Sequence, residues 1–229
     1  MIPALHIANA AGVPGTAGAL VRDAAGMSYL LSNHHVVFGS GGKSGGPIWA
    51  IPPGEVASRP VMVGRALRGE LGRIDVRGEV CFVDCALVEL SAETPFPSWL
   101  QTAIEAAGWF DSIASATPGM RVWKHGVATG LTEGVMADIA YPDCPAIEGR
   151  WWKAPRQLLV NSSDPELNFS AAGDSGAMLV DEFDAVLGLL WGINGNGDGI
   201  ASPIEAVLSC LGVTLASPVA DCRLMRLPA

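Results

Sequence analysis

Short apolar segments separated by Gly, Pro and Asp make up most of the chain, and few of them are long enough for helices. In the first half, GTAGALVRD and GMSYLLSN bracket Asp23-Ala24-Ala25-Gly26, which is typical of a hairpin connection. The segment EVCFVDCALVEL at 79–90 is apolar on both faces apart from Asp84. This pattern predicts a strand that is buried on both sides.

The same pattern resumes after residue 116 and ends in a helix. MRVWKHG, GLTEGVMADIAY, RQLLVNSS, GAMLV and AVLGLLWGI are strand-like segments with Gly and Asp turns between them. Near the end, SPIEAVLSCLGV predicts a helix in which Ser202 is the N-cap, Pro203 the first helical residue and Glu205 completes a capping box. Between the halves, LQTAIEAA fits a helical turn or two, or an irregular linker. The chain is therefore expected to form two small β units, a linker and a terminal helix.

Composition and charge narrow the classes of partner. The 229 residues are 49% hydrophobic, which is enough to bury a core without metal or disulfide support. The 28 Gly and 16 Pro favour many turns and an all-β architecture. A net charge of -9 disfavours nucleic acid and anionic membranes as main partners, because phosphate binding requires clustered Lys and Arg. Oligomeric state stays open.

Targeting signals and cysteines indicate a reducing compartment. The opening MIPALHIANAAGVPG lacks a basic region followed by an apolar one, and no apolar run approaches a membrane span. The cysteines are odd in number, namely Cys81, Cys85, Cys144, Cys210 and Cys222. Cys81 and Cys85 on one strand would share a face about 13 Å apart, beyond the reach of a mutual disulfide. Free thiols and a cytoplasmic address are therefore expected.

The tetrapeptide Gly173-Asp174-Ser175-Gly176 is a candidate nucleophile turn. A serine hydroxyl attacks carbonyls only when a base is held against it and its backbone is exposed in a tight turn. Flanking glycines allow unusual dihedral angles and close approach of a substrate. The N–H groups of Gly173 and Ser175 could then converge as an oxyanion hole. The alternative is an ordinary β-turn.

A base and a carboxylate that suit this serine are present. His34 and His35 lie in SNHHVV, after the strand-like SYLL and before an apolar pair. Asp84 lies in a doubly apolar strand, where a carboxylate costs several kcal/mol unless it is paired or hydrogen-bonded. A histidine N–H directed at Asp84 would remove that cost and select the tautomer that a serine requires. The alternatives are a structural histidine and an Asp bonded to backbone at a bulge.

The order His, Asp, Ser in the contexts SNHHVV, VDCALVEL and GDSGAML resembles the trypsin/chymotrypsin-like serine peptidases. LGLLWG resembles the strand that walls their specificity pocket. VWKHGVATGLTEGVM is similar to bacterial and plant members that carry a K-x-G-x-x-T-G-x-T-x-G run. The resemblance covers about residues 13–212. It implies an all-β fold of two six-stranded antiparallel β-barrels with a C-terminal helix, divided as 1–97, a linker at 98–115, and 116–229.

The resemblance also implies a role for each site residue. Ser175 would attack the peptide carbonyl, His35 would transfer the proton and Asp84 would orient His35, while the N–H groups of Gly173 and Ser175 bind the oxyanion. His35 is preferred to His34 because the base of this family stands directly before a small hydrophobic pair, here Val36-Val37. The expected activity is hydrolysis of protein or peptide substrates through an acyl-enzyme, with no metal or cofactor.

The resemblance also bears on specificity and activation. By resemblance, Phe169 lies at the base of the specificity pocket, and Trp191, Gly192 and about Gly199 form its walls. An apolar base and open walls favour a medium-sized apolar side chain, whereas Asp198 nearby could attract a basic one. No Ile-Val-Gly-Gly-like start is present to supply an N-terminal amine to Asp174, so Asp174 is expected to have another partner.

Three other functions fit parts of the pattern. One is a binding module on the same fold that has lost turnover, and another is a protease dedicated to one partner protein. A third is an esterase or acyltransferase with the same triad, although the chain lacks the G-x-S-x-G elbow of α/β-hydrolases. No His/Cys cluster has zinc spacing.

Overall fold

The chain folds mainly into β-strands in a computed structural model that describes residues 4–54, 59–91, 96–143 and 153–216. The first elements are β1 (Leu5–Asn9), β2 (Pro14–Ala17), β3 (Ala19–Asp23), β4 (Ser28–Ser32), α1 (His34–Val37), β5 (Pro47–Ala50), β6 (Val61–Val76), β7 (Glu79–Leu90) and α2 (Ser98–Ala107). The later elements are β8 (Arg121–Gly126), β9 (Gly130–Asp143), β10 (Lys153–Ser162), β11 (Met178–Val180), β12 (Val186–Ile193), β13 (Gly199–Pro203), α3 (Ile204–Leu211) and β14 (Val213–Leu215).

These strands form two antiparallel units, which confirms the all-β fold class. Within the described residues, the second unit is a closed barrel in the order β10-β13-β12-β11-β8-β9. The first unit is an eight-stranded sheet in the order β14-β3-β4-β7-β6-β5-β1-β2, rather than the six strands expected. One reason is β14, which returns from the end of the chain to pair with β3 along Val21–Asp23. The proposed domain boundaries stay a prediction.

The predicted hairpin and buried strand are both present. Asp23 donates its N–H to the Met27 carbonyl at 3.0 Å, and its carboxylate accepts the N–H groups of Ala25 and Met27 at 2.9 Å. The turn ends at Gly26, whose positive φ of 85° suits glycine. Strand β7 coincides with the segment EVCFVDCALVEL, and its residues from Cys81 to Val88 are buried. Local patterns were sufficient for both predictions.

Helices α2 and α3 agree with the sequence pattern except at the start of α3. Helix α2 occupies the segment LQTAIEAA and packs Leu100 and Ile104 into the core of the first unit. Helix α3 forms as predicted, but the capping box assigned to Ser202 is wrong. Ser202 is held in β13 by pairing with Leu189, and its hydroxyl donates to Oε1 of Gln157 at 3.3 Å. The helix therefore begins after the strand, at Ile204.

A buried amide joins the two units. Gln157 on β10 is fully buried, and its Nε2 donates to the carbonyl of Phe82 on β7 at 2.9 Å. Its Oε1 accepts the indole N–H of Trp191 at 2.7 Å. The rings of Trp191 and Phe82 also contact each other, with centroids 5.3 Å apart. Because these polar groups are shielded from water, their hydrogen bonds fix how the units fit together.

Two kinds of feature are absent from the residues that the structure describes. None of their helices is long and apolar enough to cross a membrane. None of their clusters of three or more His, Cys, Asp or Glu side chains could hold a metal ion.

Replacing Gln157 tests the joint between the units. We expect Gln157→Leu to lower the free energy of unfolding by about 2–4 kcal/mol, because the indole N–H of Trp191 and the carbonyl of Phe82 lose their buried partner. The measurement is urea denaturation followed by tryptophan fluorescence. Gln101→Leu is the matched control on the partly exposed α2 surface, with an expected loss below about 1 kcal/mol. Equal losses in the two variants would contradict this role.

Candidate active site

The first unit holds a buried carboxylate against a histidine. Helix α1 begins directly after β4 and brings His35 over β7. The ring Nδ1 of His35 lies 2.5 Å from Oδ2 of Asp84, and the backbone N–H of His35 donates to Oδ1 at 3.1 Å. Asp84 is fully buried, whereas 18% of the His35 side chain is exposed. With the Nδ1 proton directed at Asp84, the neutral ring carries its lone pair on Nε2.

The two residues before His35, Asn33 and His34, make contacts of different kinds. The His34 ring stacks on Phe38 with centroids 4.7 Å apart, so His35 rather than His34 meets the buried carboxylate. Asn33 is fully buried, and its Nδ2 donates to the backbone carbonyl of Asp84 at 2.6 Å. Asn33 therefore secures the strand position that carries the carboxylate. This role of Asn33 was not predicted from the sequence, although its place two residues before His35 is a usable signal.

Ser175 lies in a tight loop of the second unit that is tied to the first. The Asp174 N–H donates to the carbonyl of Ala171 at 3.0 Å, which closes the turn. The backbone N–H of Thr16 on β2 donates to the Ser175 carbonyl at 2.7 Å. Gly176 has a φ of 99°, and a Cβ there would lie 1.9 Å from the Thr16 carbonyl oxygen. Only glycine allows this approach of the loop to the first sheet.

Gly15 shows how near Ser175 comes to His35. A Cβ at Gly15 would lie 2.5 Å from Cγ1 of Val36 and 3.1 Å from the Ser175 carbonyl oxygen. One glycine thus separates the residue after His35 from the backbone of Ser175. The Ser175 hydroxyl donates a long hydrogen bond of 3.5 Å to the carbonyl of Trp191. A hydrogen bond from Ser175 to His35 stays a prediction, and such bonds often tighten only when substrate binds.

Two backbone donors of the loop have no partner among the residues that the structure describes. Within the described ranges, the N–H groups of Gly173 and Ser175 make no hydrogen bond, whereas those of Asp174, Gly176 and Ala177 do. The carbonyl of Gly173 accepts the Thr16 hydroxyl at 3.0 Å, which holds the peptide between Gly173 and Asp174 in one orientation. The arrangement can accept an anionic oxygen from a ligand. The oxyanion role of the two groups stays a prediction.

A buried ion pair anchors the loop from behind. Nζ of Lys124 on β8 lies 3.0 Å from Oδ2 of Asp174, and both side chains are fully buried. The Asp174 carboxylate also accepts the Thr129 hydroxyl at 2.7 Å and the N–H groups of Ala128 at 2.8 Å and Ala171 at 3.0 Å. Each oxygen therefore has several donors, as a buried charge requires.

The pKa values of the pair follow from this surrounding. Burial alone would raise the pKa of Asp174, but the hydrogen bonds from Thr129 and Lys124 and the charge of Lys124 outweigh it and lower the pKa. Burial lowers the pKa of Lys124 in spite of the attraction of Asp174. Both pKa values are therefore lowered, which favours the charged form of Asp174 and disfavours that of Lys124. Asp174 is favoured in this way because it accepts hydrogen bonds from neutral donors as well as from Lys124.

The K-x-G-x-x-T-G-x-T-x-G run supplies most of the groups that surround the Asp174 carboxylate. Lys124 and Thr129 donate to Asp174, and a Cβ at Gly126 would lie 2.3 Å from its Oδ1. The hydroxyl of Thr132 donates to the Phe169 carbonyl at 2.8 Å. This bond holds the segment that leads into the Ser175 loop. The partner that was expected for Asp174 in place of an N-terminal amine is therefore Lys124. The run is visible in the sequence, but its contact with Asp174 was not predicted from it.

The predicted pocket residues lie in and around the second barrel. Phe169 is fully buried, and Cβ atoms at Gly134 and Gly199 would come within 2.8 and 2.6 Å of its ring. The Trp191 side chain is directed into the joint between the units, toward Gln157. Gly192 is partly exposed on β12. Their role as a specificity pocket stays a prediction.

The basic-residue alternative depended on Asp198, whose carboxylate is engaged within its own turn. Its Oδ2 accepts Nδ2 of Asn194 at 2.8 Å, and its N–H donates to Oδ1 of the same asparagine at 3.1 Å. An aspartate that already serves a local turn is less suited to binding a substrate cation, so the apolar alternative is favoured.

A separate groove lies between α2 and the second barrel. Its volume is about 750 Å³, and Ala103, Trp109, Trp123, Lys124 and Met178 are among its lining residues. Neither the His35–Asp84 pair nor Ser175 lines it. The groove therefore shares only the Lys124 anchor with the candidate site.

Solved structures that this chain resembles include several serine proteases. A glutamic acid specific serine protease, described as using a histidine triad in substrate binding, matches with a TM-score of 0.61 and 18% identity, over 94% of this chain and 100% of that chain. Thermobifida fusca protease A matches with a TM-score of 0.61 and 18% identity, over 94% and 98%. Cellulomonas bogoriensis chymotrypsin matches with a TM-score of 0.57 and 16% identity, over 93% and 97%.

These similarities concern the fold. The structural neighbours are trypsin/chymotrypsin-like serine proteases, as the sequence resemblance implies. No protein-family model matches the sequence, and no curated protein matches it. At such low identity the likeness shows the fold alone, so activity has to be argued from the site.

Removing Lys124 tests the anchor. We expect Lys124→Met to lower the free energy of unfolding by about 3–5 kcal/mol at neutral pH, because it leaves the Asp174 carboxylate buried without its cation. The measurement is urea denaturation. Lys43→Met, at an exposed position, is the control and should change stability by less than about 0.5 kcal/mol. Equal stability of the two variants would contradict the anchor.

The same variant has an expected pH dependence. The pKa of Asp174 is lowered in the folded state, so its contribution to stability is present above the ordinary carboxyl value of about 4. That contribution is lost as pH falls through the lowered pKa. The difference in stability between the wild type and Lys124→Met should therefore narrow in acid.

Proposed function

We propose that this chain is a serine endopeptidase in which Ser175 is the nucleophile, His35 the general base and Asp84 the orienting carboxylate. The observation that carries the proposal is the buried Asp84 carboxylate, which accepts both the ring and the backbone N–H of His35. A buried carboxylate with two bonds to one histidine fixes the orientation and tautomer of the imidazole. That arrangement suits proton transfer to and from a serine hydroxyl.

The reaction begins with attack by Ser175 on the carbonyl carbon of a protein or peptide substrate. As the Oγ–C bond forms, Nε2 of His35 takes the hydroxyl proton, and the carbonyl oxygen becomes an anion that accepts the N–H groups of Gly173 and Ser175. The C–N bond then breaks, and the His35 imidazolium gives its proton to the leaving amine. Water attacks the resulting acyl-enzyme with His35 again as base, which releases the acid and restores Ser175.

Each buried carboxylate serves one half of this mechanism. Asp84 stabilises the imidazolium that forms on His35, and loss of such a carboxylate lowers kcat by about 10⁴-fold in a related triad. Asp174 maintains the turn that carries Ser175, with Lys124 as its internal partner. Because that partner belongs to the folded chain itself, we propose that the loop is formed without prior cleavage of the chain.

A second candidate is a binding module on the same fold that has no turnover. The long hydrogen bond from the Ser175 hydroxyl to the Trp191 carbonyl favours it, since that hydroxyl is directed at an acceptor other than the base. The two candidates differ in whether Ser175 reacts with an electrophile, which can be measured directly. A protease dedicated to one partner protein would react in the same way and differ only in its substrates.

Reactivity of Ser175 is tested with a fluorophosphonate probe. We expect the wild type to be labelled, Ser175→Ala to be unlabelled and His35→Ala to be labelled at least 100-fold more slowly, because the hydroxyl loses its base. His34→Ala is the matched control, since His34 stacks on Phe38. It should keep the wild-type rate within a few fold. Absence of labelling in well-folded wild type would favour the binding module.

The specificity pocket is tested at one wall. We expect the wild type to cleave internally quenched peptides after medium-sized apolar residues. Gly192→Val should lower kcat/KM for these peptides at least about 10-fold by narrowing the pocket. Gly195→Val is the control, because Gly195 is exposed and a Cβ there has no atom within 4 Å. Preferred cleavage after basic residues, or equal effects of the two variants, would contradict this pocket.

A further inference from the structure

We propose that Cys85 and Cys210 form a reversible intramolecular disulfide when the protein meets a hydroperoxide, which makes this pair a modification site next to Asp84. The proposal concerns the chemistry of two thiols and does not depend on whether the chain is a protease.

The two thiols lie together where helix α3 packs on β7. Cys85 is fully buried on β7, and Cys210 is partly exposed in the last turn of α3. Cys85 belongs to the apolar cluster that joins the first sheet to α3, Cys210 packs against that cluster, and each thiol shifts the pKa of the other. They are free thiols in this structure. Two thiols that share one packed cluster and interact with each other are candidates for a disulfide.

An independent contact fastens the end of α3 at this point. The guanidinium of Arg68 on β6 donates to the carbonyl of Leu211, the residue after Cys210. In the β6–β7 ladder, Arg68 pairs with Leu87 and Glu70 pairs with Cys85. Arg68 thus holds the end of the helix two positions along the ladder from the pair that contains Cys85. This contact keeps Cys210, the residue before Leu211, beside that part of the sheet.

The two cysteines differ in reactivity in a way that sets the order of events. The hydrogen bond from Cys85 lowers the pKa of Cys210, which is also the more exposed of the two. The bond to Cys210 and then burial raise the pKa of Cys85 well above its ordinary value. Cys210 is therefore the attacking thiolate, and Cys85 is the thiol that resolves the intermediate.

The chemistry balances with hydrogen peroxide as the oxidant. The Cys210 thiolate attacks one peroxide oxygen, the O–O bond breaks, and the departing hydroxide takes up a proton to become water. This leaves a sulfenic acid on Cys210. The Cys85 sulfur then attacks the Cys210 sulfur, the S–O bond breaks, and the oxygen leaves as water with the proton of Cys85. In all, two thiols are oxidised and one peroxide is reduced to two waters.

Cys81 provides an internal comparison on the same strand. It is buried and lies on the same face of β7 as Cys85, about 13 Å away at ordinary strand spacing. That separation exceeds the reach of a disulfide. Cys81 should therefore keep its thiol while Cys85 and Cys210 lose theirs.

The experiment uses the full chain with Cys144→Ser and Cys222→Ser, so that the remaining thiols are Cys81, Cys85 and Cys210. The reduced protein is treated with hydrogen peroxide, and free thiols are counted after denaturation. Non-reducing peptide mass spectrometry then identifies any linked pair. We expect the loss of two thiols, a peptide that links Cys85 to Cys210, and recovery of both thiols with dithiothreitol.

Thermal unfolding supplies a second readout. A disulfide between Cys85 and Cys210 closes a long loop, so oxidation should raise Tm by at least about 5 °C, and reduction should reverse the rise. Cys210→Ser added to the same chain should abolish the link and the rise in Tm, whereas Cys81→Ser should keep both. Oxidation of Cys210 to a sulfinic acid without a link, or a link to Cys81, would overturn the proposal. Labelling of Ser175 is scored separately.

Discussion

The buried Asp174 carboxylate is the constraint on which the candidate site depends. A charge that is removed from water must be matched by donors, and Asp174 receives them from Lys124, from the Thr129 hydroxyl and from backbone N–H groups. Those donors come from the β8–β9 hairpin and from the loop that carries Ser175. Satisfying one charge therefore fixes the position of the hairpin relative to Ser175. The N–H groups of Asp174, Gly176 and Ala177 are used within the fold, whereas those of Gly173 and Ser175 have no acceptor among the described residues.

Thr16 links that loop to the unit that carries the histidine. It is buried, and its N–H and hydroxyl donate to the carbonyls of Ser175 and Gly173, respectively. Its carbonyl accepts the Ser32 hydroxyl at 2.8 Å, at the end of the strand that leads into α1. Thr16 thus couples the start of α1 to Gly173 and Ser175 in the turn of the second unit. Geometry at this point matters because a displacement of about 1 Å between reacting groups can cost 10²-fold in rate.

Sequence patterns predicted the local features of this arrangement and missed the distant ones. Strand β7 and the isolated Asp84 within it follow from a segment of a dozen residues that is apolar on both faces, and the short motif around His35 is equally local. Helix α3 was predicted, but its start was not, because pairing of β13 with β12 and the bond to Gln157 hold Ser202 in a strand. Lys124 and Asp174 are 50 residues apart, and no periodic pattern links them. The pairing of β14 with the first sheet is non-local in the same way.

Asp174 and Asp84 are both buried, and different partners offset the desolvation of each carboxylate. This difference bears on function. Asp174 is matched by a lysine that is fully buried, so its surroundings are closed and suit a permanent structural charge. Asp84 is matched by a partly exposed imidazole, so its surroundings stay open on the side of His35. Imidazole is the side-chain group that most often accepts and donates a proton in catalysis, and it can do so while the carboxylate stays in place. The chain thus has one carboxylate suited to hold a loop and another suited to support the proton transfer of the mechanism that we propose.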